Sequence, residues 1–118
     1  MSNRRILRIN ALIKNELSKI LFGKVDFPQG VLVTITRCET SANLFEAKVY
    51  VSVMPEEQID KIFKILNRRI YDIQQTLNRR LRMRPIPRIE FKKEEKTKEA
   101  ERIENLLEEL KKDKKMIR

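Results

Sequence analysis

The chain contains no histidine, no tryptophan, a single cysteine and two glycines among its 118 residues. Each shortage removes a class of chemistry. Without histidine there is no imidazole acid, base or metal ligand, and Cys38 alone excludes both an internal disulfide and a Cys/His zinc site. A lone thiol also fits a reducing compartment. Gly23 and Gly30 are too far apart to build a glycine cluster that cradles phosphate. No segment approaches the roughly 20 apolar residues of a membrane span. The start, Met1-Ser2-Asn3-Arg4-Arg5, leads into an amphipathic pattern and lacks the apolar core of a signal peptide. The expectation is a cytoplasmic protein, not an enzyme, with no cofactor, no metal and no membrane partner.

Positive charge is what the chain has in excess. Lys and Arg number 27 against 17 Asp and Glu, a net charge of +10. On a chain of single-domain length this surplus points to a polyanionic partner. The plainer function of net charge is solubility, so the placement of the cations must decide.

Hydrophobic periodicity locates the elements. Ile6, Ile9, Leu12, Ile13, Leu17, Ile20 and Leu21 recur at helical spacing. They predict a helix over about 3–22, with Ser2 or Asn3 as cap and Gly23 just past its end. Two strands come next. Val31, Val33 and Ile35 alternate with Leu32, Thr34 and Thr36, and Cys38 ends this apolar strand as a small filler. Phe45, Ala47, Val49, Val51 and Val53 alternate with Glu46, Lys48, Tyr50 and Ser52. The turn formers 39–43 between them predict an antiparallel hairpin.

Pro55 breaks the chain, and Glu56 and Glu57 suit a helix N-terminus. Ile59, Ile62, Phe63, Leu66, Ile70, Ile73, Leu77 and Leu81 then hold one helical face. A run this long is expected to bend or split near 67–71. Pro85 ends it, and Arg84 before the proline is biased to extended backbone. Ile89 and Phe91 mark a short last strand, with Pro87 at its start or edge. Phe45, Phe63 and Phe91 read as core, Tyr50 and Tyr71 as surface. Beyond Phe91, Ile103, Leu106, Leu107 and Leu110 form a narrow stripe in a charged helical extension. The expected division is a domain over 1–92 and an extension over 93–118. The fold class is α+β, its helices packed on one side of a small sheet.

Five arginines fall among the ten positions from 79 to 88. Arg68, Gln75, Arg79 and Arg82 lie opposite the apolar face, interrupted by Asp72, with Arg80 at the flank and Arg84 and Arg88 continuing the patch. Compensation of the helix dipole, at about 0.3–1 kcal/mol per cation, and cover of apolar surface by arginine stems account for one or two of them, not for the cluster. Arg4 and Arg5 stand in the first turn of the expected helix, where cations oppose the dipole, and Arg8 follows in the second. A residue that violates a local rule is a better candidate for function. Exposed aromatics are few and scattered, so phosphate contact and shape are favoured over base-by-base readout. The candidate RNA-binding residues are therefore Arg4, Arg5, Arg8, Arg68, Arg79, Arg80, Arg82, Arg84 and Arg88.

Several segments, in this order and spacing, resemble the ribosome-binding factor A family. They are Arg4-Arg5-Ile6 with Leu17-Ser18-Lys19-Ile20-Leu21, then Val33-Thr34-Ile35-Thr36, then Ser41-Ala42-Asn43-Leu44 leading into Ala47-Lys48-Val49-Tyr50-Val51-Ser52. Leu81 to Phe91 is the next, and Arg102-Ile103 before Leu106-Leu107 completes the set. The resemblance implies a KH-like fold of type II topology, α-β-β-α-α-β, on a three-stranded sheet. It implies no Gly-x-x-Gly clamp, which this chain lacks as the family does. It further implies a monomer that binds immature 30S subunits rather than 70S ribosomes and assists late 16S rRNA processing near the 5′-terminal helix and growth in the cold. Asn43 stands where the family often has Asp, and Gln74 where it often has Arg. A generic RNA- or DNA-binding module, or a protein adaptor using the 103–110 stripe, are the competing readings.

Overall fold

A computed structural model describes residues 2–95, with side chains from Arg4 onward. The side chains of the expected caps Ser2 and Asn3, and all of the 103–110 stripe, therefore lie outside the described residues. The elements run α1 (Ser2–Lys24), β1 (Leu32–Thr40), β2 (Glu46–Met54), a 3-10 turn (Glu56–Gln58), α2 (Ile59–Arg68), α3 (Ile70–Arg80) and β3 (Arg88–Lys93). This is the α-β-β-α-α-β order of the KH-like fold.

β1 and β2 pair antiparallel, and β2 pairs parallel with β3, in the sheet order β1-β2-β3. A parallel neighbour demands a long crossover, and α2 with α3 supplies it. The inward sets Ala47, Val49, Val51 and Val53 of β2 and Ile89 and Phe91 of β3 are buried beneath the helices, against Ile13, Leu17 and Ile20 of α1 and Ile62, Leu66, Ile73 and Leu77 of α2 and α3.

The tertiary structure corrects several expectations. Gly23 lies inside α1 rather than past its end. The helix persists because buried Val25 extends the apolar face, its N–H donating to the Leu21 carbonyl at 3.4 Å. The left-handed glycine is Gly30, with φ +81° in the turn before β1. Leu12 is 45% exposed rather than core, because Ile9, Ile13, Leu17 and Ile20 already fill the contact stripe and Leu12 falls to its side.

β1 extends to Thr40, past the expected turn start, and Cys38 lies within it. Pairing shifts register between Ile35 and Arg37. The extra residue at this bulge turns Cys38 and Thr40 inward together with Ile35. Asn10 of α1 satisfies buried Thr40, its Oδ1 accepting from the Thr40 N–H at 2.9 Å and the hydroxyl at 2.6 Å. Burial pushes the Cys38 thiol up to about 11, so it is protonated and inert at neutral pH.

The long helical run divides at Arg69, whose backbone leaves helical geometry at φ −97°, ψ 5°. Its N–H closes α2 on the Ile65 carbonyl at 3.1 Å, and its carbonyl opens α3 toward the Ile73 N–H at 2.9 Å. The break lets Leu66 and Ile73 both reach the core. Its guanidinium spans to α1, donating to the Lys24 carbonyl at 3.3 Å.

α3 stops at Arg80, one residue before Leu81, which is extended at ψ 137° yet buried. Gln74 fastens the start of β3 to α3. Its Oε1 accepts from the Ile89 N–H at 2.9 Å, and its Nε2 donates to the Pro87 carbonyl at 3.2 Å. Position 74 thus serves the fold from within.

Candidate nucleic-acid interface

The molecule offers two differently charged surfaces. The sheet face away from the helices carries Arg37, Glu39, Glu46, Lys48, Tyr50, Arg88, Glu90 and Lys92. Here cross-strand register sets Glu39 beside Lys48 beside Glu90, and Arg37 beside Tyr50 beside Lys92. Opposite charges alternate and pair. Arg37 bonds Glu39 and, at 3.1 Å, Glu94, and its guanidinium lies 3.7 Å from the Tyr50 ring centroid. The Glu94 hydrogen bond holds Arg37 still more firmly protonated. Lys92 meets Glu90 at 3.0 Å and Arg88 meets Glu46 at 3.4 Å. Such a face is close to neutral and has little pull on a polyanion.

The second surface is built by helix placement. α1 and α3 run antiparallel, because Glu16 faces Arg80 at 3.6 Å while Lys24 faces Thr76 at 3.4 Å. The C-terminus of α3 is therefore directed toward the N-terminal half of α1. Arg79, exposed, donates to Thr76 Oγ1 at 3.3 Å. Arg82 is exposed in the loop after Leu81 and not on the helical stripe the periodicity predicts, since α3 has already ended. Arg84 folds over the same loop, donating to the carbonyls of Met83 at 2.7 Å and Leu81 at 3.3 Å. From Glu16 the exposed residues Arg8, Arg5 and Arg4 continue along α1 for about 18 Å at 1.5 Å per residue.

Among the described residues, Arg4, Arg5, Arg8, Arg79, Arg82 and Arg84 have no carboxylate within ion-pair distance. Nor does the first turn of α1 contain an acidic residue. The outcome is a strip of uncompensated guanidinium groups from the end of α3 to the start of α1. Bidentate planar donors of this kind suit phosphate oxygens.

The remaining candidates separate from this strip. Arg80 is engaged by Glu16 and helps join α3 to α1. Arg88 lies near the same end but on the paired sheet face, its side chain 80% exposed. Arg68 is exposed at the C-terminus of α2, before the break at Arg69 and beyond the far end of α3. Two residues escape the sequence reading. Lys14 is an exposed cation on α1 beyond Arg8. Charge was its only signal, since it stands alone outside the arginine clusters. Phe45, expected in the core, is 62% exposed. Its parity matches Ala47 and Val49, but it precedes β2 and lies in the turn beyond the covered part of the sheet.

No group of His, Cys, Asp and Glu among the described residues could hold a metal ion, and no described helix is long and apolar enough to cross a membrane. A three-stranded mixed sheet covered on one side by helices, with a basic strip at one end, defines an RNA-binding domain of the KH-like class.

Comparison with known proteins narrows this class. The family model for ribosome-binding factor A matches residues 5–107, and the chain belongs to that family. Its place is accordingly in ribosome biogenesis, and as in the rest of the family its role is not catalytic. The chain is similar to ribosome-binding factor A of Staphylococcus epidermidis, 34% identical over 114 residues that cover 96% of this chain and 98% of the relative. It resembles the crystal structure of the Thermus thermophilus factor with a TM-score of 0.65 and 27% identity, covering 75% of this chain and 94% of that one. A homology model of the Thermus thermophilus factor, fitted into a cryo-EM map of its 30S complex, is similar at a TM-score of 0.59. It is 28% identical, and the match covers 70% of this chain and 88% of that one.

Proposed function

We propose that the protein binds the immature 30S subunit as a monomer, holds one arrangement of 16S rRNA near its 5′-terminal helix during late maturation, and then leaves. The observation that carries this reading is the strip of arginines without carboxylate partners, Arg4, Arg5, Arg8, Arg79, Arg82 and Arg84, on a scaffold of this family. Arg68, with no carboxylate partner among the described residues, adds attraction from farther off, whereas the charges of Arg80 and Arg88 are partly cancelled by Glu16 and Glu46. The 30S complex of the Thermus thermophilus factor supports the choice of partner. The work takes place in the cytoplasm, and need for the protein is greatest in cold-grown cells, where wrongly paired rRNA is slowest to rearrange.

Sedimentation with separated ribosomal particles tests the proposal. Co-migration with free 30S subunits and not with 70S ribosomes is the expected result. Equal competition by duplex DNA would instead indicate a generic nucleic-acid module. If Z phosphates are neutralised, log affinity falls against log salt with a slope of roughly −0.7Z to −0.9Z.

A further inference from the structure

The β1–β2 turn combines exposure, rigidity and strain at one residue pair. Phe45 presents a large apolar ring to solvent, and Leu44 beside it holds φ +66°, the left-handed region that a branched side chain rarely adopts. Strain of this kind persists only where surrounding bonds over-determine it. Here they do. The Leu44 N–H donates to the Ser41 carbonyl at 2.9 Å, and the Ser41 N–H to the Glu46 carbonyl at 2.8 Å. Asn43 Oδ1 accepts from the Ser41 hydroxyl at 2.6 Å and from the Phe45 N–H at 3.0 Å. The Phe45 carbonyl accepts from the Arg88 N–H at 2.8 Å. The ring is thus mounted on a backbone fixed on both sides.

Its position matters as much. Thr40 bonds Asn10 and pairs with Ala47, so the turn lies beside the first half of α1, which carries Arg4, Arg5 and Arg8. Arg88, the first residue of β3, is bonded to Phe45 through the backbone. A rigid exposed ring at the arginine-bearing end of an RNA-binding domain fits a nucleic acid better than an apolar protein surface. Arginines of the strip hold the sugar-phosphate chain while the ring offers its face to an unstacked base.

We infer that Phe45 stacks on an unpaired base of the bound RNA, giving the interface one base-contacting point beside its phosphate strip. This rests on the rRNA-binding reading above. It adds to that reading a preference for a single-stranded or bulged nucleotide next to the helix that the arginines grip.

Phe45 is exposed, so its variants keep the wild-type melting temperature. Phe45→Ala lowers affinity for free 30S subunits by about 5- to 100-fold, the range found for loss of one base–aromatic stack. Phe45→Tyr retains the affinity, and Phe45→Leu falls nearly as far as Phe45→Ala. The salt slope stays parallel to wild type, because every arginine–phosphate pair is retained. Wild-type affinity in Phe45→Ala overturns the inference. So does full rescue by Phe45→Leu, which would mark an apolar protein contact.

A second readout does not depend on the 30S particle. The chain has no tryptophan, so Phe45→Trp introduces a unique fluorophore. Its emission is quenched on titration with poly(A) and unchanged by heparin, a polyanion without bases. Equal response to both overturns stacking. Failure of wild-type protein to bind 30S subunits, with poly(A) quenching intact, would count against the maturation reading and leave the stacking residue standing.

Discussion

The open sheet face and the α1–α3 strip are both rich in cations, yet they differ in what surrounds each cation. On the sheet, same-face neighbours and strand pairing set carboxylates beside Arg37, Arg88 and Lys92, and the charges cancel locally. On the strip, the packing of α1 against α3 and the loop after Leu81 gather arginines from two distant segments, and the nearby acid among the described residues, Glu16, is shared by Arg80 and Lys19. A ligand phosphate on the sheet would have to displace an existing pair. On the strip it displaces only water and mobile ions. Net charge alone does not separate these two situations, whereas local compensation does.

Charge reversal gives the largest expected break in this contrast. Combining Arg8→Glu, Arg79→Glu and Arg82→Glu is expected to reduce affinity for 30S subunits by at least about a hundredfold. It should also flatten the salt slope by roughly 0.7–0.9 for each phosphate no longer neutralised, with the melting temperature unchanged. The matched reversal of Arg37, Lys48 and Lys92 on the sheet should leave most binding in place. Equal loss from both triple variants, measured in the same sedimentation assay, would remove the distinction between the faces.

Gln74→Ala comes next and acts on stability. It strips the Ile89 N–H and the Pro87 carbonyl of their side-chain partner. A cost of about 1–3 kcal/mol is expected for polar groups left unsatisfied in a half-buried site. Urea denaturation measures it, and binding at low temperature should survive.

Arg80→Gln separates the structural from the binding role of an arginine. Losing the part-exposed pair with Glu16 should lower stability by about 0.5 kcal/mol or less after solvent screening. If Arg80 contributes chiefly by pairing, Glu16→Gln reproduces that loss while RNA affinity rises, because it frees a guanidinium. A fall in affinity in Glu16→Gln would show that the pair positions the strip.

The smallest effect concerns Asp60, which the hydrogen bond from Lys93 at 2.9 Å holds below the usual carboxylate range. A carboxyl depressed in the folded state stabilises above its unfolded pKa of about 3.9. That contribution disappears as pH falls through the still lower folded value. The melting-temperature gap between wild type and Asp60→Asn should therefore be slight at neutral pH and close as pH falls below the ordinary carboxylate range. A gap that widens on acidification would contradict the pairing.

Much of the fold was legible along the chain because its cause is local. The strict alternation of Ala47 to Val53 and the helical spacing of Ile9 to Leu21 each bury one face. The expected split near 67–71 occurs at Arg69. The bulge after Ile35 was not legible, because Thr36 and Arg37 are compatible with an unbroken strand and only pairing with Tyr50 and Val51 reveals the extra residue. Phe45 misled for a related reason. Alternation says which way a side chain faces but not where its cover stops.

Element order, most of the core, the excess of positive charge and the lack of histidine and of paired cysteines are written in the chain. All four derive from residue type and short-range period. Tertiary structure alone decided which cations are compensated. Arg80 meets a carboxylate from α1, Arg88 one from the start of β2, and Arg79 and Arg82 meet none among the described residues. Charge compensation acts over a few ångströms in space, and the partners here are brought together by a helix crossover and a parallel strand pairing, which no local pattern in the chain records.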